Sequence, residues 1–472
     1  MNKNLKIKWG KEVFDIQINE ETVILDLKKK IQSLKNIDPS GQKLMLKGKI
    51  LEDSSSLGSI QDSTQITLLG KANDPNEQTN MDIDRPKIKF IEDLTEKEIA
   101  EIKREKGEIV VFGLANLGNT CYFNSVIQSI GRVPELRKAL IEFARLNLGS
   151  RMDQKFAIAM GRNYMDLDKA SDTVVPQLVV AVLRSINPMF AEQDQGRYKQ
   201  QDAVECLEFV LNTIKEVLKV EGSDKFANNL IEELFGIQYS IKLKSVGEEV
   251  EEVKEKKETA LKLTCYIDNQ VSELLEGLRL GIKENLELRS DMLQRNVIYE
   301  KTQYISRIPP YLSIQFMRFF WKQANENIFG QDGQGGKSKI LKSVLFSKVL
   351  DIYDLCSEDT KKLLDLGRSI ETKLAEKDKN YSMTNPNNPV TENMIPTGRY
   401  LLISLITHKG RSSDSGHYIG WTMLKDDKWI KYDDDIVSFK NNNDVQELKG
   451  GGDHHIAYIC FYKRLEVPFQ EL

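Results

Sequence analysis

Cysteine is scarce in this chain. Five thiols are spread over 472 residues, at positions 121, 206, 265, 356 and 460, and none forms a Cys-x-x-Cys pair. That scatter excludes a zinc ribbon and suits a reducing compartment better than a disulfide framework. Histidine is scarcer, so imidazole chemistry must come from His408, His417, His454 or His455. No stretch approaches eighteen uncharged apolar residues, which leaves no candidate for a membrane-spanning helix. With 67 basic and 71 acidic residues the formal charge is −4, which argues against a nucleic-acid footprint. The opening residues Met1 to Trp9 carry lysines where an apolar signal region would stand.

What is present concentrates in two places. Residues 113 to 129 read Gly-Leu-Ala-Asn-Leu-Gly-Asn-Thr-Cys-Tyr-Phe-Asn-Ser-Val-Ile-Gln-Ser. Phe123, Val126, Ile127 and Ile130 recur at helical spacing, with Thr120 or Asn119 placed to cap the first turn. The pattern therefore predicts Cys121 at a helix N-terminus, where the macrodipole favours the thiolate, the form that attacks.

A cysteine nucleophile needs a base, and the base an orienting group. His417 opens the run His-Tyr-Ile-Gly-Trp-Thr-Met-Leu, and a second run, Trp-Ile-Lys-Tyr, ends in Asp433-Asp434-Asp435. Two β-rich runs around a polar tetrapeptide predict a hairpin. With its centre near Lys425 or Asp426, His417 and Asp433 lie equally far from the turn and face each other. His408 reads as a surface or loop residue. His454 and His455, after Gly450-Gly451-Gly452, read as structural entries to a last core strand. Cys206, Cys265 and Cys460 sit in apolar periodic runs and are expected to be buried.

The segment Gly-Leu-x-Asn-x-Gly-x-Thr-Cys-Tyr-x-Asn-Ser resembles the cysteine box of the ubiquitin-specific proteases, papain-like thiol hydrolases that cleave after the ubiquitin C-terminus. Gly-His-Tyr followed by Trp-x-x-Tyr-Asp-Asp resembles that family's histidine box. The resemblance implies Cys121 as nucleophile, His417 as base, Asp433 as its orienting carboxylate, Asp434 as support and Asn116 as an oxyanion donor beside the Cys121 N–H. Tyr-Lys-Gln-Gln-Asp-Ala-Val-Glu, from Tyr198, resembles the family's glutamine box. It implies that Gln200, Gln201, Asp202 and Tyr418 line a narrow channel for a basic tail ending in two glycines. Asp202 or Glu205 would pair with a tail arginine, or Asp202 would simply cap its helix. No cofactor and no metal are implied, since the two Cys-x-x-Cys pairs of many relatives are missing.

The expected architecture is α+β in three parts. Residues 1–70 predict ββαβ…β by alternation, with Val23, Leu27, Ile31 and Leu34 on one helix side. The module resembles ubiquitin, a β-grasp fold, and Met45 and Leu69 fall where ubiquitin carries its exposed apolar patch. Its Leu69-Gly-Lys-Ala continuation lacks a free Gly-Gly end, so it reads as a binding module. Residues 71–106 read as a flexible linker, with a charged helix possible in composition over 94–106. Residues 107–466 read as the papain-like ubiquitin-specific protease domain, with a helical thumb and β-rich palm and fingers. Within it, 247–258 reads as a solvated loop between hairpin strands 237–243 and 263–267. Residues 357–381 read as one or two inserted amphipathic helices, followed by a loop over 384–396.

A ubiquitin-like module joined to a zinc-free catalytic domain resembles the proteasome-associated branch of the family. That implies docking on the proteasome's regulatory particle, ubiquitin conjugates as substrate, low activity when free, and a cytoplasmic and nuclear location. Two polar loops, 322–337 and 409–416, are expected to lie across the channel and gate it. A silent ubiquitin-binding scaffold and a general endopeptidase are the competing readings. The intact Cys121, His417, Asp433 and Asn116 weigh against the first. The glutamine box and the ubiquitin-like module weigh against the second.

Overall fold

The structure is a computed structural model. It describes residues 2–70 and 110–469, except 20–21, 54, 58–59, 62, 148, 223–225, 247–251, 323–335, 380, 385–392, 413–414 and 425–426. The linker and its charged helix lie outside the described residues, as does most of the 322–337 loop.

The N-terminal body is one five-stranded sheet with a helix across it. β1 (Asn2–Trp9), β2 (Glu12–Asn19), β3 (Lys43–Leu46), β4 (Lys49–Ile50) and β5 (Gln65–Leu69) run in the order β2-β1-β5-β3-β4. β1 pairs antiparallel with β2 and parallel with β5, the β-grasp arrangement. Helix α1 (Ile24–Lys35) buries Ile24, Leu27 and Ile31 against Leu5, Ile7, Ile66 and Leu68. Leu34 is 59% exposed, contrary to the expected stripe. The buried side is centred on Ile24 and Ile31, and the chain leaves the helix at the left-handed Asn36, so Ile37 closes that end instead. Met45 pairs with Thr67, and Lys43 with Leu69, which puts Met45 and Leu69 on the same outer face. Leu69 is exposed there, Met45 is half-buried, and exposed Ile50 pairs with Met45 beside them.

The larger body has a helical layer and two main sheets. Helices α2 (Cys121–Ile130), α3 (Pro134–Leu146), α4 (Met152–Lys169), α5 (Gln177–Ile186), α6 (Ala203–Lys215) and α7 (Leu230–Phe235) form the first part. A short hairpin of β6 (Gln193–Asp194) and β7 (Arg197–Tyr198) precedes α6. Phe123, Val126, Ile127, Val180, Leu183 and Val210 share its core.

The fingers sheet has the order β11-β12-β8-β9, from β8 (Ile237–Ser245), β9 (Lys254–Ala260), β11 (Lys283–Arg289) and β12 (Asn296–Arg307). The expected loop over 247–258 is thus partly strand β9, which pairs with β8. β9 is a sheet edge whose charged side chains stay in water, so it carries no alternation to read. The stretch expected to be the hairpin partner of β8, which includes β10 (Leu263–Cys265), instead joins the palm parallel to β13 (Tyr311–Phe316).

The palm order is β10-β13-β21-β17-β18-β19-β20, with β16 (Val349–Asp351) also on β17. Its members are β17 (Met394–Ser412), β18 (Ser415–Met423), β19 (Lys428–Asp433), β20 (Ile436–Asn441) and β21 (Ile456–Pro468). A separate ribbon pairs β14 (Phe319–Lys322) with β15 (Gly336–Lys339). β17 begins inside the stretch expected to be a loop, with Met394 to Pro396 already paired to β21. Its far end also corrects the 409–416 loop: Lys409 pairs with His417 and Ser412 with Ser415 across a bulge, a hairpin rather than a loop. His408 is fully buried in this central strand, paired with Tyr418 and Ile456, not at the surface. The polar residues that follow it hide the strand from a reading by composition. The insert is a single helix, Glu358–Lys377, capped by Ser357 and seated on the palm through Leu364, Gly367 and Ile370.

Candidate active site

Cys121 is the first residue of α2 and is 2% exposed. The loop before it is shaped by two consecutive left-handed residues, Gly118 and Asn119. Neither expected cap forms. The Thr120 hydroxyl accepts from Leu117 N at 2.9 Å, and the Asn119 amide donates to Tyr198 O at 2.8 Å. Asn116 does the loop's bonding instead, its Oδ1 accepting from Gly118 N at 3.0 Å and Thr120 N at 3.2 Å.

At this thiol burial opposes the pull of the helix terminus toward thiolate. Burial pushes the Cys121 thiol up to about 11, and the Asp434 carboxylate adds to that; a backbone hydrogen bond at Tyr418 opposes them without winning.

His417 lies on β18 with its side chain 35% exposed, and its Nε2 is 2.6 Å from Asp433 Oδ1. The second carboxylate oxygen accepts from Lys431 Nζ at 2.8 Å. Burial alone would raise the Asp433 carboxyl, but the hydrogen bonds from Lys431 and His417 hold it below its ordinary value. An ionised carboxylate only accepts, so Nε2 carries the ring proton and Nδ1 keeps a lone pair. The hairpin forms as read, but its register differs. Gly420 pairs with Tyr432 and Met423 with Trp429, so strict continuation would set His417 opposite Asp435. β19 stops at Asp433 and Asp434 turns left-handed at φ 54°, so Asp433 reaches His417 diagonally.

Asp434 faces the other way and ties the two halves of the site together. It accepts from Asn124 Nδ2 and Asn116 Nδ2, both at 2.8 Å, and its carbonyl accepts from Leu114 N at 3.0 Å. Burial keeps its carboxyl above the usual range despite these donors. Asn124 is 2% exposed and also donates to the Leu114 and Ala115 carbonyls. Sequence reasoning assigned it no role, although a polar residue on the buried side of an apolar helix was the available signal. Gly113 is required by close approach: a β-carbon there would overlap the Asp434 carbonyl and Asp435.

The glutamine segment sits between the helical layer and the palm. Gln200 is buried, and Gln201 Nε2 donates to Met189 O at 2.8 Å. Asp202 is 8% exposed and takes the capping role, accepting from Val204 N at 2.7 Å. It also accepts from the Tyr458 hydroxyl, 3.0 and 2.8 Å from its two oxygens. Tyr458 was not foreseen, since it lies in an otherwise apolar strand. Tyr418 is buried, its ring 4.5 Å from His408 and 6.2 Å from Tyr458. A polar groove of about 780 Å³ runs beside the Cys121 loop, lined by Asn119, Glu192, Asp194, Tyr198, Gln200 and Gln201.

A thiol at a helix start, against the backbone of Tyr418 next to an imidazole–carboxylate pair on a sheet, is the arrangement of a thiol hydrolase. Residues 112–462 match the ubiquitin carboxyl-terminal hydrolase family, and residues 4–73 match the ubiquitin family. Ubiquitin carboxyl-terminal hydrolase 6 of Arabidopsis thaliana is 34% identical, over 97% of this chain and 98% of that protein. Ubiquitin carboxyl-terminal hydrolase 14 of Caenorhabditis elegans is 30% identical, over 99% and 95%. The structure of the SAGA Ubp8/Sgf11/Sus1/Sgf73 DUB module bound to ubiquitin aldehyde shares the fold, with a TM-score of 0.52 and 23% identity over 75% of this chain and 69% of that one. The chain belongs to the ubiquitin carboxyl-terminal hydrolase family, as a thiol-dependent deubiquitinating enzyme with an N-terminal ubiquitin-like domain.

Proposed function

We propose that this enzyme works at the proteasome. Its ubiquitin-like domain docks on the regulatory particle through the face of Met45 and Leu69, and the catalytic domain releases ubiquitin from conjugates held there, in cytoplasm and nucleus. Cys121, His417, Asp433 and Asn116 carry the reaction, with Asp434 in support. The observation behind this assignment is the pair of linked contacts at the palm edge: His417 to Asp433 at 2.6 Å, and Asn116 to Asp434 at 2.8 Å.

In this mechanism Asp433 fixes the His417 tautomer, so Nδ1 takes the thiol proton. The sulfur attacks the carbonyl carbon of ubiquitin's terminal glycine. The oxyanion is met by the Cys121 N–H and by the second amide hydrogen of Asn116, the first being spent on Asp434. His417 protonates the leaving lysine amine, then activates the water that releases ubiquitin from the thioester. Gln200, Gln201, Asp202 and Tyr418 border the tail channel.

A buried thiol supports a free enzyme at low activity, raised when docking displaces the polar segments 322–337 and 409–416. Hydrolysis of a fluorogenic ubiquitin C-terminal amide, with and without proteasomes lacking their own copy of this enzyme, tests the reading. Activation that vanishes on deleting residues 1–70 supports it. Equal rates in both conditions leave a deubiquitinase without the docking or the gating. Shortening 411–415, with Gly416 and His417 spared, should raise the rate of the free enzyme.

A further inference from the structure

One hydrogen bond holds the His417 ring at a point, not in a plane. Its side chain is 35% exposed, so the imidazole has room to pivot about the Nε2–Asp433 bond. A base that must present Nδ1 to a thiol needs a second constraint.

His455 is placed to give one. Its ring centroid lies 5.9 Å from that of His417, at an interplanar angle of 77°, an edge-to-face contact. His455 stands at the entry to β21, after a turn in which Gly450 and Gly451 both have positive φ. Its Nδ1 lies 3.4 Å from the hydroxyl of Thr407, which is fully buried in β17. That hydroxyl is itself fixed, accepting from Trp421 Nε1 at 3.0 Å. A chain of contacts therefore runs from Trp421 through Thr407 and His455 to the base, separate from the one through Asp433 and Lys431.

The groups facing His455 are His408 and Lys409 of β17, His417 of β18, and Lys431 and Asp433 of β19. Burial first, then the neighbouring His417 and Lys431, push His455 down to about 3, so it stays neutral over the working range. It adds no charge to compete with the imidazolium of the base.

We propose that His455 is a positioning residue for the catalytic base, an aromatic brace that holds the His417 ring in the orientation the thiol requires. This rests on His417 being the base. The reading of His455 as a purely structural strand entry gives way to one with a kinetic consequence.

The test uses the full chain and the fluorogenic ubiquitin amide. His455→Ala is expected to lower kcat about tenfold with KM within twofold of the original. His455→Phe, which keeps the aromatic contact without a titrating group, should recover kcat to within threefold and leave the pH profile unmoved. His455→Lys should shift both limbs of that profile to lower pH, because a cation beside the ring favours thiolate and disfavours imidazolium. An unchanged kcat in His455→Ala overturns the inference. So does a His455→Phe enzyme as slow as His455→Ala while equally well folded, or a His455→Lys profile that does not move. His417→Ala runs beside them. If it stays active, the assignment of the base fails, and this inference with it. If it is dead while His455→Ala is unimpaired, only this inference fails.

Discussion

Two adjacent aspartates at the end of β19 carry opposite burdens. Asp433 is held ionised by Lys431 and His417, while Asp434 is desolvated enough to sit above its usual range. Asp433→Asn removes the acceptor that fixes the His417 tautomer but keeps the shape. We expect kcat to fall on the order of 10³-fold with little change in melting temperature, measured on the ubiquitin amide. Histidine burial also makes stability depend on pH. Burial and the Lys339 ammonium push His408 down to about 3, whereas an unfolded histidine titrates near 6.5. Between those values the unfolded chain binds the extra proton, so this stabilisation is present above about pH 6.5 and is lost as pH falls toward 3. The slope from His408 is at most about 1.4 kcal/mol per pH unit. Denaturant midpoints measured from pH 7 to 4 should show it, and His408→Phe should reduce it, leaving the share of His455, which is pushed down likewise. An unchanged slope in that variant would reject this origin.

At the scale of elements, the Cys121 helix and the histidine hairpin were readable because each carries its own period. The helix repeats apolar residues at 123, 126, 127 and 130, and the hairpin alternates on either side of a polar turn. The register was not readable to the residue, since the left-handed turn at Asp434 that lets Asp433 reach back leaves no mark in composition. β9 was missed because an exposed edge strand can be charged throughout, and the place of buried His408 in β17 because the residues that follow it are Lys409, Gly410, Arg411 and Ser412. The role of Asn124 depends on a partner 310 positions away, which no local pattern contains. Close packing also joins distant segments. Gly113→Ala drives a methyl into the Asp434 carbonyl, and we expect about 1–3 kcal/mol of destabilisation. Its kcat should fall beyond what the unfolded fraction explains, which kinetics at low temperature would separate. Leu364 in the insert helix is fully buried, yet far in sequence from the site. Leu364→Ala should cost about 2–4 kcal/mol in denaturant titrations and leave kcat within twofold.

For the whole molecule, the two bodies have separate cores: residues 5–68 supply one and residues from 114 onward the others. Removing residues 1–70 should therefore leave the melting transition of the catalytic domain within about 2 °C and its rate in isolation unchanged, and should abolish the proteasome-dependent activation proposed above. A large drop in either would show that the ubiquitin-like domain supports the enzyme directly. Leu69→Asp, on the exposed face, should weaken docking without touching the isolated rate.

The place of β21 has a consequence for how this protease comes into being. The strand spans Ile456–Pro468, yet it lies inside the palm, hydrogen-bonded to β13 on one side and β17 on the other. A ribosome delivers Cys121 long before it delivers this strand. Until residue 468 has emerged, β17 has no partner on that side, and the hairpin that carries His417 hangs from an unfinished sheet. Order of synthesis thus puts the nucleophile before the scaffold that aligns its base, because β21 follows both in the chain and closes the sheet between β13 and β17.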